Sequence, residues 1–117
     1  DYVVAMWKIL QQKKPEDFVI ATGKQYSIRQ FISLVSKKIN IKIIWKGKGL
    51  KEKGYDSISR KPIIAIDKNY IRPLDVNTLL GNAAKARREL KWKPQINIHR
   101  LIDEMITEEM NILSNDQ

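Results

Sequence analysis

Residues 70–94, YIRPLDVNTLLGNAAKARRELKWKP, hold the one compact polar constellation of the chain and the plainest change from loop to helix. Pro73 fixes its own φ and steers Arg72 away from the helical region, so Arg72 is expected on an extended or turning segment. Asp75 follows three residues later. A guanidinium offers a planar fork of donors to a phosphate or diphosphate, and a carboxylate accepts from sugar hydroxyls, so the pair suits a nucleotide diphosphate. The same two side chains could instead pair with each other at a surface, where an ion pair contributes little. Downstream, Asn82 is a suitable N-cap for a helix over residues 83–90, and Trp92 and Pro94 end it.

Outward from this stretch the elements are short. Val3, Met6, Trp7 and Leu10 recur at helical spacing and predict an amphipathic helix over residues 2–12 whose apolar face needs another surface to cover it. Lys13 and Lys14 suit its C-terminus, and Pro15 closes it. Residues 17–22, DFVIAT, end at Gly23 and read as a buried strand of the kind found in parallel sheets. Ser27 and Gln30 form a capping-box pattern, opening a helix with Ile28, Phe31, Ile32, Val35 and Ile39 on one face. Ile41, Ile43 and Trp45 alternate as a half-buried strand, and residues 63–66 form another that starts at Pro62. Between them, residues 46–53 (KGKGLKEK) read as a loop and residues 54–57 as a turn. Asn97 caps a last helix with Ile96 and Leu101 as a hydrophobic staple, and Leu101, Ile102, Met105 and Ile112 give its buried side. The expected fold is a small α/β or α+β unit.

The 117 residues include 22 basic and 13 acidic side chains, a formal charge of +9. The basic residues are scattered along the chain and collect on no helix face, which argues against a nucleic-acid footprint. Cysteine is absent and His99 is the only histidine, so no disulfide, thiol nucleophile or metal site is expected, and His99 is placed at the surface. There is no long apolar run and no signal-peptide pattern, so a membrane is not an expected partner and the expected location is cytoplasmic. Gly47 and Gly49 lack the third glycine and following helix of a dinucleotide fingerprint. Lys68 and Tyr70 are two apart, the wrong spacing for a couple on one helix face. Asp103, Glu104, Glu108 and Glu109 fall on the solvated side of the last helix. No catalytic residue is assigned, and the chain opens at Asp1 already in helical spacing, as expected of part of a longer polypeptide.

The strings DYVVAMWKILQ, PEDFVIATG, SIRQF and YIRPLDVNTLLGNAAKARRELKWKP, in that order, resemble the C-terminal part of GDP-mannose 4,6-dehydratases, members of the extended short-chain dehydrogenase/reductase family. The resemblance implies a lyase that converts GDP-mannose to GDP-4-keto-6-deoxymannose and water by cycling a hydride on NADP, on the way to fucose and related sugars. It implies that residues 1–117 form the nucleotide-sugar-binding domain and that residues 1–23 pack on an N-terminal Rossmann domain. That domain would carry the NADP site and the catalytic threonine, glutamate and tyrosine/lysine pair. Family members often form homo-oligomers. By position, the resemblance implies that Arg72 contacts the diphosphate and Asp75 the nucleotide ribose. Leu74 stands where the family often has threonine, Asn77 where it often has an acid, and Asp75 in place of the more usual glutamate, a methylene shorter. A sibling epimerase or reductase, or a free-standing basic binding module, are the alternative readings.

Overall fold

The computed structural model describes residues 1–72, 74, 76 and 78–115. Among them run helices α1 (Tyr2–Leu10) and α2 (Ile28–Lys38), strands β1 (Ile43–Lys46), β2 (Lys53–Asp56) and β3 (Pro62–Ala65), and helices α3 (Ala84–Glu89) and α4 (Ile98–Asn115). The chain divides into two compact units, one of Asp1–Tyr26 with Asn77–Glu104, the other of Ser27–Val76 with Met105–Gln117.

In the first unit the core is built on small residues. Ala5 of α1, Ala83 and Ala86 around α3, Leu90 and Trp92 form one buried cluster, with Ile9, Phe18, Ile20 and Ala21 packed on it. Ala5 and Ile9 lie on the helix face opposite Val3, Met6, Trp7 and Leu10, and those four, expected as the packing face, are exposed. α1 therefore has two apolar faces, and only the narrower one, where alanine permits close approach, is used in this unit. Asp1 fixes the helix start. Its carbonyl accepts from the Trp92 indole Nε1 at 3.1 Å, and its carboxylate accepts from the backbone N–H of Gln95 and, at 2.8 Å, of Ile96.

The strand expected over residues 17–22 is not formed among the described residues. Alternation survives locally, because Phe18 and Ile20 are half-buried on the cluster while Val19 is exposed. What is missing is a neighbouring strand to pair with, and a strand exists only through that pairing. The sheet of this chain is elsewhere and antiparallel.

That sheet belongs to the second unit, in the order β1-β2-β3. Ile43 pairs with Asp56 and Lys46 with Lys53. Gly54, read from the sequence as part of a turn, lies in the central strand and is buried. A Cβ there would meet Ile43 Cγ2 at 3.1 Å and Ile64 Cβ at 3.2 Å, so the glycine answers to side-chain crowding on one sheet face rather than to a turn. The actual turn comes at residues 57–59, where the Asp56 carboxylate accepts from the Ile58 and Ser59 N–H groups and from the Ser59 hydroxyl. Pro62 opens the edge strand β3, where its missing N–H is tolerated.

α2 starts as its sequence requires: the Ser27 hydroxyl accepts from Gln30 N–H and the Gln30 side chain accepts from Ser27 N–H. Such a cap is worth about 1 kcal/mol. The helix ends in a Schellman pattern with Asn40 at φ 56 and Ile41 N–H bonded to the Ser36 carbonyl at 2.8 Å. Phe31, Ile32, Val35, Ile43 and Ile64 line an apolar groove between α2 and the sheet. Arg29, in the first turn, is ion-paired with Glu52 and stacked over the Trp45 ring at 4.2 Å, which ties α2 to the β1–β2 hairpin.

α4 is capped as expected, with Asn97 Oδ1 accepting from Arg100 N–H at 3.0 Å. Its burial differs from expectation. Ile102 is 1 % exposed, but Leu101, Met105 and Ile112 are all more than 40 % exposed.

Candidate functional site

The approach to Arg72 is set by three local devices. β3 ends at Ala65, and the Asp67 carboxylate then accepts from Asn69 N–H at 2.9 Å, capping a single 3-10 turn over Lys68–Tyr70. The turn closes with Ile71 N–H on the Lys68 carbonyl at 3.3 Å. Ile71 then takes φ −77 and ψ 126, an extended conformation that hands the chain to Arg72 outside any regular element. Arg72 lies outside any helix, as the argument from the proline that follows it expects, and its side chain is exposed. Asp75, the second residue of the expected pair, lies outside the described residues, as do Pro73 and Asn77.

Beyond the loop the chain re-enters the first unit at a tightly fixed point. A Cβ on Gly81 would sit 2.6 Å from Ala21 Cβ and 3.2 Å from Val19 Cγ1, so only glycine lets the backbone pass so close to residues 19–21. Asn82 Oδ1 then accepts from Ala84 N–H at 2.9 Å, but the helix proper starts at Ala84 with Ala83 in the N-cap position, so Asn82, expected as the N-cap, stands two residues before α3. α3 ends with Lys91 at φ 50, and the ammonium of Lys8 donates to the carbonyls of Leu90 and Lys91 at 3.0 and 3.3 Å, satisfying groups the helix leaves without internal partners.

Two further charged residues, Lys85 and Asp56, have structural work. Lys85 Nζ pairs with the Glu16 carboxylate at 2.6 Å, donates to the Asp17 carbonyl at 3.0 Å and lies over the Phe18 ring, holding residues 16–18 against α3. The hydrogen bond to Glu16 raises the Lys85 pKa above its ordinary value. Asp56 moves the other way: the Ser59 hydroxyl, then the Ile58 and Ser59 N–H groups, lower its pKa. His99 is exposed. Among the described residues no three or more His, Cys, Asp or Glu side chains gather as a metal site, and no helix is long and apolar enough to cross a membrane.

The Gly47–Gly49 link does not have the form of a dinucleotide-binding loop. Gly47, at φ 92, serves the tight β1–β2 link, where a Cβ would press on the Lys51 carbonyl oxygen at 2.5 Å. The link continues into a three-residue 3-10 turn and then β2, so it offers no helix N-terminus to receive a pyrophosphate.

Helices and a three-stranded antiparallel sheet make this a small α+β chain, and Arg72 is exposed in the loop that follows the sheet. A family model described as GDP-mannose 4,6 dehydratase matches residues 1–105. GDP-mannose 4,6 dehydratase 2 of Caenorhabditis elegans is 44% identical over 118 residues, covering 99% of this chain and 30% of the relative. The Dictyostelium discoideum GDP-mannose 4,6 dehydratase is also 44% identical, covering 98% of this chain and 32% of its own. The human GDP-mannose 4,6 dehydratase is 39% identical, covering 97% and 30%. The chain belongs to the GDP-mannose 4,6-dehydratase family, and it spans about 30% of the length of these relatives.

Sequence reasoning had one blind spot near the candidate site. Tyr70, considered only for its spacing from Lys68, is 82% exposed two residues before Arg72. Pattern analysis of apolar residues assigns an aromatic to the core by default, and Tyr70 is one that the structure leaves outside it.

Proposed function

We propose that this chain is the C-terminal substrate-binding part of a GDP-mannose 4,6-dehydratase of the extended short-chain dehydrogenase/reductase class. The whole enzyme would eliminate water from GDP-mannose to give GDP-4-keto-6-deoxymannose, with NADP and the catalytic side chains held by an N-terminal Rossmann domain outside this chain. The observation that carries the reading is the family match, which runs through residues 1–105. In this reading Arg72 donates to the diphosphate of the nucleotide sugar and Asp75 accepts from its ribose, and both act by orienting substrate. The exposed position of Arg72, outside any helix face, supports it. The outward apolar face of α1, with Val3, Met6, Trp7 and Leu10, is the surface through which residues 1–23 would pack on the Rossmann domain. The enzyme is read as a cytoplasmic homo-oligomer.

The test is a chimera in which this chain replaces the matching segment of the C. elegans relative. Consumption of GDP-mannose with formation of the 4-keto product is the expected result. A chimera that folds, by circular dichroism, yet neither binds nor turns over GDP-mannose would overturn the reading.

A further inference from the structure

Residues 107–115 of α4 are all exposed. In this half of the helix Met105, Met110, Ile112 and Leu113 stay 46–61% exposed, and Glu108 and Glu109 have no basic partner among the described residues. Met105, Glu108, Glu109 and Ile112 fall at i, i+3, i+4 and i+7, so the helix presents one stripe in which an acidic pair stands between two apolar side chains. Helices in proteins owe most of their stability to the packing of such a face.

The β1–β2 hairpin has the opposite composition. Lys46, Lys48, Lys51 and Lys53 are exposed around Leu50, itself 52% exposed. Lys46 stands directly opposite Lys53 across the two strands, and like charges so placed repel. Glu52 is the only acid of residues 46–53, and it is already paired with Arg29. The hairpin thus gathers on one element lysines that are left without a counter-charge among the described residues. Both patches belong to the unit of Ser27–Val76 with Met105–Gln117.

We infer that the acidic end of α4 docks on the β1–β2 hairpin of a second copy of this chain, with Glu108 and Glu109 against Lys46 and Lys53 and the apolar side chains of the stripe beside Leu50. Each patch lacks a counter-charge and an apolar cover, and the other patch of the same chain supplies both. Every copy carries the two patches, so two copies can make the contact twice about a two-fold axis. The inference gives a surface to the homo-oligomer of the proposed function and rests on that reading, not on the substrate assigned to it.

The experiment is sedimentation velocity of the 117-residue chain. At about 100 µM, enough to fill an interface of micromolar Kd, a dimer of the 13.7 kDa chain is expected in low salt, shifting toward monomer at about 0.5 M salt as exposed charges are screened. Two double variants, Lys46→Glu with Lys53→Glu and Glu108→Lys with Glu109→Lys, are each expected to weaken the dimer at least about tenfold. All four side chains are exposed, so unchanged far-UV circular dichroism is expected of both. An equimolar mixture of the two variants is expected to associate again, because each brings the charge that the other now needs, which a mere folding defect could not do. A chain that is monomeric in low salt, a dimer that neither variant weakens, or a mixture that stays monomeric would each overturn the inference. The mass of the C. elegans chimera tests the homo-oligomer reading separately: an oligomeric chimera that both double variants leave intact keeps that reading and removes this surface from it.

Discussion

Trp92 is the side chain on which the first unit most depends, and its replacement by phenylalanine has a cost that can be worked from its surroundings. The indole is 2% exposed, packed in the cluster with Ala5, Ala86 and Leu90, and donates Nε1–H to the Asp1 carbonyl at 3.1 Å. Phenylalanine removes the donor, which costs about 1 kcal/mol for a neutral hydrogen bond. It also leaves a void the size of the lost pyrrole atoms, for about 1–2 kcal/mol more. The sum of about 2–3 kcal/mol is a large share of the roughly 5–15 kcal/mol that holds an ordinary domain folded. In urea, with a slope of about 1.5–2 kcal/mol per molar, the midpoint should fall by about 1–2 M with no change of slope. Far-UV circular dichroism is the readout, since it follows the helices regardless of which tryptophans remain. A midpoint unchanged for Trp92→Phe would refute the enclosed, hydrogen-bonded indole and the packing of α1 through Ala5.

Three further outcomes can be measured in the same way. Lys91 holds φ 50 at the end of α3, so Lys91→Gly should raise stability by about 0.5–1.5 kcal/mol in the same denaturation assay, the backbone carbonyl that Lys8 caps being retained. Ile102→Ala should cost about 2–5 kcal/mol and Leu101→Ala no more than about 1–2, because the first is 1% exposed and the second 43%; equal losses would contradict the orientation of α4. Asp56 has a folded pKa below its unfolded value, so its contribution is present above about pH 4 and is lost as pH falls through the lower folded value. The stability difference between the chain and Asp56→Ala should accordingly shrink as pH is lowered below about 4, and a difference that widened there would reverse the sign of the effect.

Local signals were legible where a single turn of chain decides the outcome. The Ser27–Gln30 capping box, the Asn97 cap and the place of Pro62 at the start of a strand all derive from residue chemistry within three or four positions. Gly54 was not legible, because a glycine beside Tyr55 and Asp56 carries the composition of a turn, while its reason for being there is crowding from Ile43 and Ile64 on neighbouring strands. α1 shows the limit of periodicity in a different way. The spacing identifies a real apolar face, but Ala5 and Ile9 on the other side make the packing within this unit, and alanine gives a weak signal in any hydrophobic pattern. The bonds from Trp92 and Ile96 to Asp1, and from Lys8 to Leu90, span more than 80 residues and have no local signature. At the candidate site, the position of Arg72 outside any helix was readable from the proline that follows it, whereas the exposure of Arg72 and of Tyr70 was not, because it depends on what the rest of the fold leaves uncovered.

The measurement that bears most directly on the central claim is the affinity of GDP-mannose for the C. elegans chimera carrying this chain, with and without Arg72→Ala. A charge-assisted contact to the diphosphate predicts a loss of about 1.5–3 kcal/mol, or roughly 10- to 150-fold in Kd, with the fold intact by circular dichroism. Unchanged affinity in a folded Arg72→Ala protein would contradict the role of this loop in holding the substrate.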